Sequence, residues 1–428
     1  MEIQIKKHNN LKGHVTVSPD KSISHRSIMF GAIANGVTEV DNFLNGEDCL
    51  STISCFRKLG INIVNNSNKI LIHGKGLHGL SRPTNILDVG NSGTTARLMS
   101  GILAGQAFTC NLTGDASIQT RPMKRICTPL SEMGADFEFA HNIHKLPFSI
   151  KGGELKAINY NLEVASAQVK SAILLAGLYA NSDTTVCEPA QSRNHTELML
   201  SSFGANIICT DKSVTISPNP VLSGQKISVP GDISSAAYFI AAGLITTGSE
   251  ILIKNVCLNP TRDGIIRVAH AMGGNIKIEN ITTISGELVG DLIVSSSELN
   301  GTVIEGSIIP TLIDELPIIA VMGAFAKGTT VIRDASELRV KESNRIDTMV
   351  NYLRETGCDI EATEDGMIIR GGNTLHGIEI DPLMDHRIAM SFAIMGLQTE
   401  GVMTIKNAQY ASVSYPDFYK DINSIINN

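Results

Sequence analysis

The sequence predicts an α/β protein with two domains, each built from three copies of one helix, turn and strand unit. Two series of residues recur in step along the 428 positions: a glycine that follows an apolar helical stretch, and a polar group that opens an Ala-rich helix. A near-repeat of one strand-to-helix junction indicates where the chain crosses between the domains.

The first series consists of five glycines about 70 to 84 residues apart: Gly60, Gly134, Gly204, Gly273 and Gly357. Glycine most easily takes the left-handed conformation that ends many helices. The runs that follow, from residues 62, 136, 206, 275 and 359, are β-prone. Each repeat therefore predicts a helix, a turn and strands.

The second series consists of six predicted helix starts: Lys21-Ser22, Asn91-Ser92, Ser166-Ala167, Asp232-Ile233-Ser234, Asp314-Glu315 and Asp385-His386. They lie about 66 to 82 residues apart, in step with the glycines. This period is too long for a simple solenoid, whereas six units fit two globular domains of three.

The near-repeat pairs residues 17–22 (VSPDKS) with residues 229–234 (VPGDIS). In both segments a strand meets a proline, which stops strand pairing before a capped helix. We interpret the two segments as the interdomain crossings. An ordinary strand-to-helix loop that the chain uses twice is the alternative.

Composition limits the class of protein. With 43% hydrophobic and 18% charged residues, the chain is expected to be globular, and its net charge of -7 argues against general nucleic-acid binding. Its first ten residues lack the apolar core of a leader, and no apolar run reaches the roughly 18 residues of a membrane span. The eight cysteines form no CxxC pair or zinc pattern, so we expect reduced thiols, no metal and a soluble cytoplasmic protein.

Basic residues accompany several predicted helix starts. They are Lys21, Arg26, Arg97, Arg121, Lys124, Arg125, Arg339, Lys341, Arg345 and Arg387. Helix N-termini present unpaired N–H groups, and Arg grips phosphate or carboxylate groups with paired hydrogen bonds. In an acidic protein this pattern indicates a substrate with several anionic groups, and nearby carboxylates and Lys side chains would supply proton transfer.

Taken singly, each signal has an ordinary structural explanation. An Arg near a helix end can be a solvated charge, Asp314 and Glu315 can be favourable first-turn acids, and Glu342 can be a surface partner of Arg339 or Arg345. The collective pattern carries the functional interpretation.

The motifs DKSISHR, GNSGTTAR, RPMKR, SAQVKSA, PGDISSAA, DELP, FAKGTT, LRVKESNR, DHRIAM and SYPDF resemble the 5-enolpyruvylshikimate-3-phosphate synthase family from end to end. The resemblance implies a two-domain inverted α/β, or inside-out, barrel with three βαβαββ units in each domain. Residues 20–229 would form the first domain, with the shikimate 3-phosphate site. Residues 1–19 and 230–428 would form the second, with the catalytic acids and the arginines for phosphoenolpyruvate.

The family transfers the enolpyruvyl group of phosphoenolpyruvate to the 5-hydroxyl of shikimate 3-phosphate, in the pathway to chorismate and the aromatic amino acids. The resemblance therefore implies a transferase that works as a monomer, without a cofactor and without nucleic-acid or membrane partners.

The resemblance also assigns roles to residues of this chain. The implied ligands of shikimate 3-phosphate are Lys21, Ser22, Arg26, Ser166, Ala167, Gln168, Arg193, Asp314 and Lys341. Those of phosphoenolpyruvate are Lys21, Gly93, Arg121, Gln168, Arg345 and Arg387. Asp314 would take the proton of the 5-hydroxyl, and Glu342, helped by Lys21, would protonate the methylene carbon of phosphoenolpyruvate.

This chain departs from the family pattern at one implied contact with phosphoenolpyruvate. Where many members of the family carry a Lys in the last motif, this chain has Val413. Two alternatives stay open. The sister enzyme that acts on UDP-N-acetylglucosamine shares the fold, but it carries a Lys-Asn pair where this chain has Lys21-Ser22. A non-catalytic anion-binding protein would keep the arginines but need not keep Asp314 and Glu342 together.

Overall fold

The computed structural model describes residues 1–66, 69–141 and 144–426. The chain forms two units, each with its own internal contacts. The N-terminal unit comprises Pro19–Val229 with Ile284–Gly286, and the C-terminal unit comprises Met1–Ser18, Pro230–Thr283 and Glu287–Asn428. The unit boundaries after Ser18 and after Val229 fall inside the near-repeated segments.

Six of the helices begin at or just after the polar groups that predicted a helix start, namely α1, α3, α6, α8, α10 and α12 in the numbering that follows. In chain order the described α-helices are α1 (Lys21–Ile33), α2 (Glu47–Lys58), α3 (Gly93–Ala104), α4 (Ala116–Thr120), α5 (Lys124–Met133), α6 (Ala167–Gly177), α7 (His195–Phe203), α8 (Ile233–Ile245), α9 (Gly264–Ala271), α10 (Leu316–Phe325), α11 (Arg345–Glu355), α12 (His386–Gly396) and α13 (Phe418–Ile426). Short 3₁₀ helices cover Gly306–Thr311, Ser336–Val340 and Ala408–Val413.

Short strands fill the intervals between the helices. In chain order they are β1 (Ile3–Lys6), β2 (Lys12–Val15), β3 (Asn35–Asp41), β4 (Asn62–Asn66), β5 (Lys69–Lys75), β6 (Leu87–Asp88), β7 (Thr109–Thr113), β8 (Asp136–Phe139), β9 (Phe148–Lys151), β10 (Asn159–Asn161), β11 (Thr184–Cys187), β12 (Ile207–Cys209), β13 (Ser213–Ile216), β14 (Lys226–Ser228), β15 (Glu250–Cys257), β16 (Asn275–Ile284), β17 (Glu287–Ser295), β18 (Val303–Ile304), β19 (Thr329–Ile332), β20 (Asp359–Ala362), β21 (Met367–Arg370), β22 (Glu379–Ile380) and β23 (Val402–Ile405).

Within the described residues each unit contains three small sheets. Those of the N-terminal unit have the strand orders β14-β3-β5-β4, β6-β7-β9-β8 and β10-β11-β13-β12. Those of the C-terminal unit have the orders β16-β17-β15-β2, β18-β19-β21-β20 and β1-β23-β22. Each sheet includes one parallel pair, such as β18 with β19, beside at least one antiparallel pair. The predicted count of six units, three in each half, is confirmed.

The helices form the inner layer of each unit. In the C-terminal unit α8, α10 and α12 pack on one another and are buried on nearly every face, while β15, β21 and β23 cover them. In the N-terminal unit α3 packs on both α1 and α6. A helix that is apolar all round belongs in a protein interior, which is the helix-inside arrangement of the predicted inverted barrel.

Local chemistry sets the ends of these helices. All five predicted glycines have a left-handed backbone, with φ from +86° to +116°. Asp20, Ser92, Ser166, Asp232 and Asp385 accept hydrogen bonds from the first-turn amides of α1, α3, α6, α8 and α12. The sixth predicted start, α10, follows Asp314-Glu315 and carries Pro317 in its first turn.

Candidate active site

The start of α1 carries the first group of predicted ligands in the N-terminal unit. Lys21 is the first residue of the helix, and its Nζ lies 3.0 Å from Oδ2 of Asp48, with 19% of the Lys side chain exposed. Ser22 is half-buried beside it. A partly exposed ammonium at a helix N-terminus adds to the positive end of the helix dipole and favours an anionic ligand.

Arg26 lies one turn further along α1 and is 3% exposed. Its Nε donates to Oγ1 of Thr196 at 2.7 Å, and its Nη2 donates to Oγ of Ser171 at 3.0 Å. Its Nη1 donates to the carbonyl oxygen of Ser22 at 3.1 Å. These three contacts therefore fix the orientation of the guanidinium at the start of α1.

A chain of hydroxyl groups connects α1 to the start of α3. Nδ1 of His25 lies 2.7 Å from Oγ1 of Thr52, which lies 2.7 Å from Oγ1 of Thr95, and Thr95 Oγ1 in turn donates to Oγ of Ser92. Burial lowers the pKa of His25 well below its ordinary value, and Lys21 and Arg26 lower it further. His25 is therefore a neutral link between the two helix starts.

Arg97 lies beside both Gly93 and Gln168. The sequence marks this residue as one of the cations near a helix start, but no substrate was predicted for it. Nη1 of Arg97 donates to Oε1 of Gln168 at 2.5 Å, and Nε2 of Gln168 donates to Oγ1 of Thr94 at 3.0 Å. A Cβ at Gly93 would lie 2.9 Å from Nη1 of Arg97 and 3.6 Å from Nη1 of Arg121. Two guanidinium groups thus converge on the start of α3.

Arg121 lies directly after α4 and is 7% exposed. Its Nη2 donates to Oδ1 of Asn91 in a short hydrogen bond and to Oγ of Ser117 at 3.2 Å. Asn91 also donates to Oδ2 of Asp115 at 2.7 Å. Asn91 and Asp115 therefore position Arg121. The sequence motif named this arginine but did not reveal these two partners.

The remaining predicted residues of this unit lie at the start of α6 and before α7. Ser166 caps α6, and Ala167 and Gln168 form its first turn, all three half-buried. Arg193 is half-buried and lies two residues before the first residue of α7. Lys124 and Arg125, by contrast, are exposed at the start of α5.

In the C-terminal unit the predicted residues surround Arg345, whose side chain is 1% exposed. Its Nε donates to Oδ2 of Asp385 at 2.8 Å, and its Nη2 donates to Oε2 of Glu342 at 2.6 Å. Its Nη1 donates to Oδ1 of Asp314 at 3.4 Å. One guanidinium therefore joins both predicted acids to a third carboxylate that the sequence analysis did not assign.

Asp314 has two further cations beside it. Nζ of Lys341 lies 3.7 Å from its Oδ1, and Nη2 of Arg387 lies 3.9 Å from its Oδ2. Nη1 of Arg387 donates to the backbone carbonyl oxygen of Asp314 at 3.0 Å. With 18% of its side chain exposed, Asp314 is accessible and surrounded by positive charge.

The opposite charges around Arg345 keep one another ionised despite their burial. Burial works against the charge on Arg345, but Asp385 and Glu342 outweigh it and raise the pKa of the guanidinium. Burial likewise works against the charge on Asp385, yet Arg345 keeps the pKa of that carboxyl below its ordinary value. Burial also opposes the charge on Arg387, whose pKa Asp314 and Tyr238 raise. The arginines and Asp385 are therefore charged at neutral pH.

Glu315 lies behind Asp314 and is 1% exposed. It accepts a short hydrogen bond from Oγ of Ser234, and its Oε1 lies 3.8 Å from Nη1 of Arg387. Nη2 of Arg262 donates to Ser234 at 2.6 Å and to Asp232 at 3.0 Å. Arg339, the other cation of LRVKESNR, pairs with Asp347 near the surface. Of the two arginines expected beside Glu342, Arg345 donates to it, and this arginine is buried rather than at the surface.

Among the described residues, no three or more His, Cys, Asp or Glu side chains are grouped so that they could hold a metal ion. The helices of this part of the chain include no candidate membrane span.

Comparison with known proteins identifies the family. The family model for EPSP synthase (3-phosphoshikimate 1-carboxyvinyltransferase) matches residues 5–422. A 3-phosphoshikimate 1-carboxyvinyltransferase of a Thermoanaerobacter strain is 54% identical over 98% of this chain and 99% of its own length. The enzyme of that name from Desulforamulus reducens is 51% identical over the whole of both chains.

Solved structures agree with this comparison. An EPSP synthase from Acinetobacter baumannii has a TM-score of 0.88 at 43% identity, covering 99% of this chain and 98% of its own. The enolpyruvyl transferase NikO from Streptomyces tendae has a TM-score of 0.78 at 14% identity, over 99% and 96% of the two chains, and shows the shared fold alone. The chain belongs to the EPSP synthase (3-phosphoshikimate 1-carboxyvinyltransferase) family.

Proposed function

We propose that this protein transfers the enolpyruvyl group of phosphoenolpyruvate to the 5-hydroxyl of shikimate 3-phosphate and releases inorganic phosphate. The observation that carries the proposal is the position of Asp314, an accessible carboxylate with Lys341, Arg345 and Arg387 within 4 Å. A base beside several cations suits a reaction that deprotonates a hydroxyl next to an anionic substrate. Family membership supplies the identity of the substrates.

The first step is an addition. Asp314 takes the proton of the 5-hydroxyl, and the oxygen forms a bond to C2 of phosphoenolpyruvate. Glu342, helped by Lys21, delivers a proton to the methylene carbon, which becomes a methyl group. In the second step the bond from C2 to the phosphate oxygen breaks, and Glu342 recovers a proton from the methyl group to restore the enol ether. The proton that Asp314 took passes to the departing phosphate, so both carboxylates return to their starting states.

Glu342, the proposed acid, accepts a hydrogen bond from Nη2 of Arg345 at 2.6 Å. An anionic phosphoenolpyruvate bound beside this arginine would place negative charge close to Glu342, and a negative neighbour favours the protonated form of a carboxyl group that a proton donor needs.

The N-terminal unit supplies the other proposed ligands. Lys21, Ser22 and Arg26, with Ser166, Ala167, Gln168 and Arg193, bind shikimate 3-phosphate, and Gly93, Arg121 and Gln168 contact phosphoenolpyruvate. The contacts of Arg26 with Thr196 and Ser171 support its role, because they hold the guanidinium in place beside the other proposed ligands of this substrate. Val413 stands where many relatives carry Lys, and we propose that the other cations suffice.

The test is phosphate release by the purified protein with phosphoenolpyruvate and no added metal, with shikimate 3-phosphate and UDP-N-acetylglucosamine compared as acceptors. We expect release with the shikimate ester alone. Release with the nucleotide sugar alone would show that UDP-N-acetylglucosamine is the acceptor. Release with neither compound would favour a non-catalytic anion-binding protein.

We further propose that the enzyme works in the cytoplasm as a monomer, as the family resemblance implies. Light scattering on the eluate of a sizing column would give a mass near 45.8 kDa for a monomer, and twice that mass would contradict the proposal.

A further inference from the structure

We propose that Glu188 is a positioning residue for the phosphate of shikimate 3-phosphate. Held by the buried Lys170, it fixes the backbone at Ser192 and thereby the place of Arg193. This inference rests on the proposed function, because Arg193 is one of the proposed ligands of that substrate.

A buried ion cluster lies behind the start of α6. The Lys170 side chain is 1% exposed, and its Nζ lies 2.7 Å from Oε1 of Glu188 and 2.7 Å from Oε1 of Glu197. Each carboxylate side chain is 4% exposed. Burying three charges costs much desolvation energy, and an apolar replacement is often as stable. Such a cluster therefore calls for a role beyond stability.

The two carboxylates differ in what else they bind. Oε2 of Glu188 accepts a short hydrogen bond from Oγ of Ser192 and another from the Ser192 amide at 3.3 Å. Lys170 Nζ donates to the carbonyl oxygen of Ser192 at 3.4 Å. Oε2 of Glu197 is buried without a hydrogen-bond partner among the described residues. Glu188 thus holds the residue next to Arg193, whereas Glu197 only balances the lysine.

The same region holds other proposed ligands of shikimate 3-phosphate. Lys170 lies two residues after Gln168 on α6, and the next residue, Ser171, bonds Arg26 together with Thr196. Two adjacent polar clusters therefore tie α1, α6 and the segment from Glu188 to Thr196 together. These three elements carry the proposed contacts of the N-terminal unit to this substrate.

The pair Glu188→Gln and Glu197→Gln provides a matched test. Both changes are isosteric, both remove one negative charge from the same lysine, and only the first alters the contact with Ser192. For Glu188→Gln we expect KM for shikimate 3-phosphate to rise about tenfold, with kcat and KM for phosphoenolpyruvate within about twofold. Glu197→Gln should leave all three constants within about twofold of the unmodified protein.

A second variant reaches the same contact from the other side. Ser192→Ala removes the hydroxyl that donates a hydrogen bond to Glu188, so it should reproduce the rise in KM for shikimate 3-phosphate. The double variant Glu188→Gln/Ser192→Ala should be no worse than either single one, because residues in direct contact are not additive. Thermal unfolding of each variant establishes that the folded protein is being compared.

Three results would overturn the inference. One is an unchanged KM for shikimate 3-phosphate in both folded Glu188→Gln and Ser192→Ala, and another is an equal rise in Glu188→Gln and Glu197→Gln. The third is absence of phosphate release by the unmodified protein with shikimate 3-phosphate, which would remove the proposed function and this inference with it. Only the first two leave the proposed function intact.

Discussion

Arg345 donates from Nε to Oδ2 of Asp385 at 2.8 Å, and neither side chain has more than 1% of its surface exposed. Asp385 also caps α12 by accepting from the Arg387 amide at 2.9 Å. One carboxylate therefore fixes the positions of two arginines that we propose bind phosphoenolpyruvate.

Asp385→Asn should destabilise the protein by about 3 kcal/mol, because it leaves a buried guanidinium with one charged partner fewer. Asn is as good a helix cap as Asp, so the capping bond of α12 is retained. Urea unfolding of this variant and of Asp347→Asn measures the difference. Asp347 pairs with Arg339 near the surface, where the loss should stay below about 1 kcal/mol. Equal losses in the two variants would contradict the prediction.

The same pair should make stability depend on pH. The folded-state pKa of Asp385 is lowered below 3.8, so its contribution is fully present above the pKa of the unfolded chain and is lost as the pH falls through the folded-state value. The stability gap between the unmodified protein and Asp385→Asn should therefore narrow below about pH 3.8. Urea unfolding from pH 6 down to about pH 3 would measure the gap. A gap that widens on acidification would be inconsistent with this pair.

Asp314→Asn should lower kcat by at least about a hundredfold, the usual contribution of a positioned base. Binding of shikimate 3-phosphate, followed by calorimetry, should stay nearly unchanged because the amide keeps the shape and one acceptor oxygen. Near-normal turnover would remove Asp314 from its proposed role.

Arg387→Ala should raise KM for phosphoenolpyruvate by about tenfold to a hundredfold, since a hydrogen bond to a charged group contributes about 1.5 to 3 kcal/mol. KM for shikimate 3-phosphate should change much less. Arg370→Ala is the control, because Arg370 is an exposed strand residue that pairs with Asp359 and Glu361. Unchanged affinity in Arg387→Ala would exclude this arginine from the site.

Gly93→Ala should weaken phosphoenolpyruvate binding without unfolding the protein. The new methyl group would lie 2.9 Å from Nη1 of Arg97, a flexible side-chain end that can shift and release Gln168. We expect KM for phosphoenolpyruvate to rise at least about fivefold, with an unfolding temperature close to that of the unmodified protein. Gly153→Ala, where the structure leaves open space, should change neither quantity. A large fall in the unfolding temperature of Gly93→Ala would show instead that the new methyl group disrupts the fold.

The sequence predicted those features whose cause is local. The five helix-ending glycines could be found because few other residues take their backbone conformation, and all five have φ of +86° or more. The six helix starts could be found because a polar cap precedes an apolar helix, and five of them show the side-chain capping bond.

The partners of the predicted ligands could not be found in this way. Arg345 and Asp385 are 40 residues apart, and Arg26 and Thr196 are 170 apart. No propensity or spacing rule connects such positions, because only the packing of separate repeats brings them together. The motif resemblance identified the arginines, but the groups that hold them can be seen only in the three-dimensional structure.

The chemistry of the helix caps separates two ways of attracting an anion. At α1, α8 and α12 the cap is an aspartate, whose own negative charge already offsets the positive end of the helix. At α3 and α6 the cap is a neutral serine, so the backbone amides keep their full attraction for a ligand. Substrate groups at these two helices can be held by main-chain N–H groups, while the aspartate-capped helices must rely on lysine and arginine side chains. Capping strength and anion affinity are thus separate properties here. Ser92→Asp would keep the hydrogen bond that caps α3, but its negative charge would weaken the attraction of this helix start for an anionic ligand.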